Sequence, residues 1–306
     1  MHNVTIVPTL DTNIFCPIGN IPAVNLLEYH APKSDGEITN ILLLACGDPR
    51  SILFSFFCED KPGNEKFNIV CCDDIDPAIL ARNIILFSLI IDNAASYGSQ
   101  SAHDRTRIGA IWNLLYHYQI PKEDLKLLQD QSDKLLSYSK SPETWAESPY
   151  SSITFVSLQT LEGVRKIWEK YAIQRSAEEQ QEYEAPRRHT LSEIRQKFSQ
   201  GEGACVTYSV GVHWFAGFNS CWDALKGYWE KGVVARNEGD VKALGFGGKG
   251  LLNLTFMVSA MSEDFVVPFT GDPLSAYHVP QVFENPLSEK LRMEALAKSA
   301  KQGFAE

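Results

Sequence analysis

The chain has 306 residues, of which 44% are hydrophobic and 11% aromatic, and it carries a net charge of −10. This composition is typical of a globular protein with a filled core and excludes a largely disordered chain. The acidic excess, 38 residues against 28 basic ones, repels a phosphate backbone and disfavours nucleic-acid binding. The length allows one large α/β domain or a main domain with an appended lobe.

Residues 1–37 contain several prolines and glycines, which predicts an extended lead-in. The continuous apolar run ITNILLLA (38–45) predicts a strand buried on both faces, and FNIVCC (67–72) predicts the next strand. The helix between them begins at Pro49 and is expected to turn Ile52, Leu53, Phe56 and Phe57 inward.

A second helix is predicted from Pro77 to about 92, with Asp76 as its N-cap and Leu80, Ile84, Phe87 and Ile91 on its inner face. The order strand, helix, strand, helix predicts a parallel sheet with a right-handed crossover. We therefore expect an α/β fold, a Rossmann-like parallel sheet flanked by helices.

Beyond this unit, helices are predicted over 108–118 and for the amphipathic segment after Pro121, and 38–160 forms the predicted Rossmann-like core. The charge-rich segment 161–203 predicts a solvated helical insertion. The last part, 204–306, is expected to be α+β: the remainder of the sheet, including a strand at 254–261, an aromatic-rich segment and a C-terminal helix.

No segment has the pattern of a secretion signal, and no apolar run approaches the roughly 20 residues that span a bilayer. The seven cysteines are odd in number and contain no CxxC pair. This favours buried, reduced thiols over disulfides or zinc ligands, so we expect a cytoplasmic protein without a metal site and without a membrane segment.

The turn Cys46-Gly47-Asp48-Pro49-Arg50 follows the first predicted strand, where backbone N–H groups and a helix N-terminus can hold an anion or a nucleotide. In a binding role, Gly47 admits a ligand, Asp48 accepts from a ligand amine, and Arg50 pairs with a carboxylate or phosphate. In a structural role, Gly47 makes the turn, Asp48 caps the helix and Arg50 lies at the surface. The residues alone do not choose between the two.

Asp73, Asp74 and Ile75 follow the second predicted strand, where Rossmann-type proteins hold the ribose hydroxyls with a carboxylate. Asp74 comes 27 positions after Gly47, against a usual interval of about 20. The alternative is that these aspartates only form a turn.

Three residues of the C-terminal part are candidates for substrate binding: His213, Trp214 and Trp222. An imidazole can act as a general base, and tryptophans can pack a planar substrate. Each is otherwise explained as a structural or core residue. The glycine-rich segment GFGGKG (245–250) lacks the serine or threonine of a phosphate-binding loop and predicts a flexible loop.

The segments FCPIGNIPAVNLL, ILLLACGDPRSILFSFF and CCDDIDPAILARNIILFSLIID together resemble the fungal family of domain of unknown function 4470. Members of that family often occur with MYND-type zinc fingers, and the family is similar to the N-terminal region of a dynein axonemal assembly factor. The resemblance covers about residues 14 to 93 and implies a fold related to class I methyltransferases. Ala45 and Pro49 stand where the methyltransferase pattern has glycines, whereas DIDP at 74–77 agrees with it.

Two functions follow as hypotheses. In the first, the protein binds S-adenosylmethionine over Cys46–Arg50 and Asp74 and transfers a methyl group to a small molecule or peptide. In the second, it is a non-catalytic binding or assembly module, with a protein partner, that keeps the fold and has lost the cofactor.

Overall fold

The structure is a computed structural model. It describes residues 17–19, 23–29, 38–44, 46–58, 66–72, 77–95, 102–174, 228, 231–234 and 250–256. The helices in these ranges are α1 (Arg50–Cys58), α2 (Pro77–Ala95), α3 (Ala102–Tyr116), α4 (Lys122–Tyr138), α5 (Pro142–Ala146) and α6 (Leu158–Ala172). The strands are β1 (Ile38–Leu44), β2 (Lys66–Cys72), β3 (Gln119–Ile120) and β4 (Leu251–Leu252), and a 3₁₀ turn follows at Leu254–Phe256.

β1 and β2 form a parallel pair, as the sequence predicts. Their register runs from Ile38 opposite Lys66 to Leu44 opposite Cys72. Parallel neighbours need a crossover connection, and α1 lies between the two strands in the chain. The two strands therefore end side by side, at Leu44 and Cys72. Since β1 and β2 are the described strands of this sheet, a complete Rossmann-like sheet stays a prediction.

One face of β1 is exposed, so the prediction of a strand buried on both faces is wrong. Ile38, Leu42 and Leu44 are 52%, 59% and 72% exposed, whereas Thr39 is buried. Successive side chains of a strand point to opposite faces, so these three residues form one exposed apolar row, the β1 strip. The sequence concealed this because a continuous apolar run lacks the alternation that marks a half-exposed strand.

α1 contacts the opposite face of the pair. Phe56 of α1 packs edge-on against Phe67 of β2, with ring centroids 5.8 Å apart. Ile52 is buried as predicted, but Phe56 is exposed on its outer side, and Ser55 is buried instead. The hydroxyl of Ser55 accepts the N–H of Leu26 at 2.7 Å, so the lead-in occupies part of this helix surface.

α2 is the central helix of the core, and it packs against α3, α4 and α6. The predicted single inner face is wrong: Ile84 is buried, but Leu80, Phe87 and Ile91 are only partly buried. By length and composition α2 is apolar enough to cross a membrane, and it is the one such helix among the described residues. Its window Pro77–Ala94 is 61% buried inside the protein, which is typical of a core helix.

α6 also belongs to the core, although the segment that begins at 161 was expected to be solvated. Its buried residues recur every three or four positions, at Leu161, Val164, Ile167, Trp168 and Tyr171. The indole N–H of Trp168 donates to the carbonyl of Ala81 at 3.1 Å. The charged residues lie on the other face of the same helix, so a high charge content did not mean a solvated segment. The remainder of the predicted insertion, from 175 to 203, lies outside the described residues.

At its C-terminus, α3 is contacted by a segment that is distant in the chain, around Asn253. The side-chain amide of Asn253 donates to the carbonyls of Leu114 and His117 at 2.9 and 2.7 Å. These carbonyls have no partner within the helix at its C-terminus, so α3 ends at Tyr116 and not at the predicted 118. The same contact places 254–256 in a 3₁₀ turn, where the sequence predicted the start of a strand.

Candidate functional site

The turn after β1 lies at the carboxyl end of the parallel pair, where ligands bind in open α/β sheets. Gly47 has a φ of +56°, a conformation that glycine adopts without steric cost. The side-chain amide of Asn83 in α2 donates to the Gly47 carbonyl at 2.6 Å, and the N–H of Cys46 donates to the Cys72 carbonyl at 3.3 Å. The prediction that Gly47 forms a tight turn is confirmed, and the turn is attached to both β2 and α2.

Both carboxylate oxygens of Asp48 accept hydrogen bonds from the protein itself. Oδ1 accepts the backbone N–H of Arg50 at 2.9 Å and its Nε–H at 2.8 Å. Oδ2 accepts the backbone N–H of Gly19 at 2.5 Å. The side chains of Asp48 and Arg50 are each only 4% exposed. Asp48 therefore caps the start of α1, and Arg50 is a buried ion-pair partner, not the surface residue of the structural alternative.

The short segment Pro17–Gly19 packs directly on this ion pair. Ile18 is 1% exposed and belongs to the main hydrophobic core. A Cβ atom at Gly19 would lie 2.7 Å from Nη2 of Arg50 and 3.0 Å from Oδ2 of Asp48, so a larger residue here would force the ion pair to shift. The sequence does not predict this contact. Its one signal is the motif CPIGNIP, in which a single apolar residue lies between a proline and a glycine.

A group of buried polar side chains lies next to the turn; we call Asp48, Arg50, Arg82 and Tyr116 the Arg82 cluster. Arg82 is 0% exposed. Its Nη2 donates to the Leu115 carbonyl at 2.5 Å, but its Nε and Nη1 are buried without a hydrogen-bond acceptor. Its guanidinium carbon lies 5.4 Å from the centroid of the Phe256 ring. The sequence does not reveal this burial, because an arginine within an apolar helix pattern is most often a surface residue.

Burial shifts the titration of these groups. Desolvation lowers the pKa of Arg82 to about 10, while the negative charge of Asp48 acts in the opposite direction. Arg82 therefore still carries its charge at neutral pH. Burial raises the pKa of the Tyr116 hydroxyl well above its ordinary value, so this group is neutral, and it is buried without a hydrogen-bond acceptor. His117, next in the chain, is enclosed as well, and desolvation lowers its pKa to about 3.

Of the predicted cofactor residues, the structure brings Cys46, Gly47, Asp48 and Arg50 together in one turn. Cys46 is half-buried, and its thiol donates to the Gly47 carbonyl at 4.0 Å. Asp73, Asp74 and Ile75 lie outside the described residues, and so do the predicted substrate residues His213, Trp214 and Trp222. Their roles stay predictions.

The last glycine of GFGGKG, Gly250, is described. A Cβ there would lie 2.8 Å from Cβ of Gln119 and 3.1 Å from its carbonyl carbon, so Gly250 permits close packing of β4 on β3. Within the part of the chain that the structure describes, no group of three or more His, Cys, Asp or Glu side chains could hold a metal ion.

Comparisons with known proteins find one match to a family model, over about a third of the chain. No curated protein and no solved structure matches the chain. Residues 17–120 match a family model, and this range runs from the Pro17–Gly19 segment through β1, α1, β2, α2 and α3 to the end of β3. It therefore contains the turn, the ion pair and the whole Arg82 cluster. The family model that matches residues 17–120 is that of the domain of unknown function DUF4470.

Proposed function

We propose that this chain is a non-catalytic, Rossmann-like binding or assembly module in which the turn after the first strand has lost cofactor binding. One observation carries the proposal: every oxygen of the Asp48 carboxylate is bonded within the protein, to Arg50 and to Gly19. A ligand amine that needed this carboxylate would have to break an ion pair that is 4% exposed on both sides. Breaking a buried pair costs about 3 to 5 kcal/mol, which a cofactor would have to supply from its own contacts.

The Pro17–Gly19 segment supports the same proposal by its position. The backbone N–H of Gly19, which precedes the strand–helix unit in the chain, donates to Asp48. Ile18 is buried and anchors the segment in the core. Pro49 further removes one N–H from the turn. The turn therefore packs against another segment of the same chain and does not present its backbone N–H groups to an anion.

A module without chemistry acts through its surface, and we propose a protein partner that presents apolar side chains. The β1 strip of Ile38, Leu42 and Leu44 supports this, because its side chains are 52% to 72% exposed. Parallel sheets are normally covered on both faces, and exposed apolar patches commonly mark sites of protein contact. The resemblance to an assembly factor agrees with this class of function.

A second candidate is methyl transfer from S-adenosylmethionine to a small molecule or peptide. The left-handed Gly47 at the end of β1 favours it, together with the parallel register that ends at Leu44 and Cys72. Asp73 and Asp74, the predicted ribose-binding residues, directly follow Cys72 in the sequence. In such a transfer the protein mainly positions the sulfonium against its acceptor.

Calorimetric titration with S-adenosylmethionine and S-adenosylhomocysteine separates the two candidates. The module predicts no heat of binding up to millimolar ligand, for the wild type and for Asp74→Ala alike. Binding at micromolar affinity that Asp74→Ala abolishes would establish the methyltransferase candidate and overturn the module. A known methyltransferase, titrated under the same conditions, serves as the positive control.

A further inference from the structure

The exposed face of the parallel pair carries apolar side chains from both strands. Leu42 lies opposite Val70, and Leu44 lies opposite Cys72. Residues in register on neighbouring strands point to the same face of a sheet. Leu42 and Leu44 are 59% and 72% exposed, Cys72 is exposed as well, and Val70 is partly buried. We call these four residues the carboxyl-end patch.

A polar pair borders this patch. The side-chain amide of Asn68 donates to Oδ1 of Asn40 at 2.9 Å, and both residues are exposed. The two are in register, so their bond lies on the same face as the patch, two residues before it along each strand. With Ile38 beyond the pair, the apolar row from Ile38 to Leu44 extends about 20 Å, at about 3.3 Å per residue. An element that covers this face must therefore present apolar side chains over a comparable length.

The 288–306 segment, which lies outside the described residues, has a matching sequence pattern. Its apolar residues recur at helical spacing, at Met293, Leu296, Ala297, Ala300 and Phe304. On a helix this stripe would extend about 16 Å, at 1.5 Å per residue. The segment carries four basic and three acidic side chains, whereas the whole chain has a net charge of −10, so the charge of the rest of the chain attracts it.

The described chain leads toward the patch before this segment begins. The Phe256 ring lies 5.4 Å from the guanidinium carbon of Arg82, and the next residue, Asn83, donates to the Gly47 carbonyl at 2.6 Å. Gly47 follows Leu44 by three positions, so Phe256 lies in the same part of the fold as the carboxyl end of β1. About 30 residues connect Phe256 to the segment, and a connection of this length reaches about 30 Å even as a random coil.

We propose that the 288–306 segment docks reversibly, as a helix, on the carboxyl-end patch and blocks the surface that a protein partner needs. The inference deepens the proposed function and rests on it for this regulatory role, whereas the docking itself needs no partner. A tether of this length gives an effective concentration in the millimolar range, so a contact with a Kd of about 1 mM fills the patch about half of the time. A partner that binds the patch with micromolar affinity then displaces the segment.

The thiol of Cys72 reports this contact, because it is exposed and lies in the patch. In the full chain, Ala300→Cys places a second thiol in the apolar stripe, and Lys298→Cys places one on the opposite face of the same predicted helix. With oxidised glutathione as the oxidant, peptide mass spectrometry should find Cys72 joined to position 300 about tenfold faster than to position 298. This readout involves no partner and no cofactor, so its failure is distinct from a failure of the proposed function in the calorimetric test.

A variant of the patch and a matched control complete the test. Leu42→Thr should slow the pairing at position 300 by about fivefold, because it removes apolar area from the contact. Leu158→Thr should leave the rate unchanged, because Leu158 is 61% exposed, much as Leu42 is, but lies at the start of α6. Equal rates at positions 300 and 298, or a rate that Leu42→Thr does not change, would overturn the proposal. Pairing that occurs only between two molecules would assign the patch to a second copy and would overturn it as well.

Discussion

Replacing Asp48 by asparagine tests directly whether the turn after β1 is a packed joint or an open ligand site. The substitution keeps the size of the side chain and one acceptor oxygen, but it removes the negative charge. Arg50, whose side chain is 4% exposed, then loses its carboxylate partner. In addition, an amide can no longer accept both from Arg50 and from Gly19 as the two carboxylate oxygens do.

The expected loss in the free energy of unfolding is about 3 kcal/mol. Removing one partner of a buried ion pair costs about 3 to 5 kcal/mol, and the acceptor oxygen that asparagine retains favours the lower end. With a urea m-value of about 2 kcal/mol/M, the midpoint of unfolding falls by about 1.5 M. A double-mutant cycle with Arg50→Met should give a coupling energy of about 2 kcal/mol.

The matched control is Asp130→Asn in α4. Asp130 also pairs with a basic residue, Lys126 at 2.9 Å, but the two side chains are 61% and 69% exposed. An exposed pair of this kind contributes about 0.3 to 0.5 kcal/mol. If Asp48→Asn lowers the free energy of unfolding no more than this control does, the ion pair does not stabilise the turn. That result would favour a role of Asp48 in cofactor binding.

Three further predictions concern single positions. Gly47→Ala should cost about 1 kcal/mol because of its left-handed φ, whereas Gly109→Ala in α3, with open space around it, should gain about 0.5 to 1 kcal/mol; equal effects in urea unfolding would contradict the assigned backbone. His117 is neutral when folded but gains a proton below about pH 6.5 when unfolded, so its contribution to stability is lost as the pH falls from about 6.5 toward 3. The wild type should therefore lose about 2 kcal/mol more than His117→Leu between pH 7 and pH 5, and parallel pH curves would refute this. Leu42→Thr and Leu44→Thr should each lower the fluorescence of a bound apolar dye while changing the melting temperature little, because both side chains are mostly exposed; unchanged fluorescence would mean that the β1 strip is covered.

The local pattern of the sequence was enough for the first unit. Apolar runs, Pro49 and Pro77 predicted two strands and two helices, and the structure confirms their order, the parallel pairing and the turn at Gly47. These features depend on neighbours in the chain: strand length, a proline at a helix start, and a glycine where φ is positive. The candidate turn could be located for the same reason.

The local sequence pattern could not predict the contacts between distant parts of the chain. Whether Asp48 faces a ligand or the protein depends on Gly19, 29 positions earlier, and nothing in the intervening sequence reports that approach. The same holds for the end of α3, which Asn253 fixes from more than 130 residues away.

For the first unit, the sequence by itself determined where β1, α1, β2, α2 and the glycine turn lie, because short-range sterics and hydrophobic spacing act within a few residues. Only the tertiary structure decided which charged side chains are buried and which residues pair with them. Arg82 looks like any surface arginine in the sequence, and it becomes a buried cation only when α2 is enclosed by α3, α4 and α6. Burial is a property of the whole packed chain, and the free energy of a charge depends on that burial more than on its neighbours in sequence.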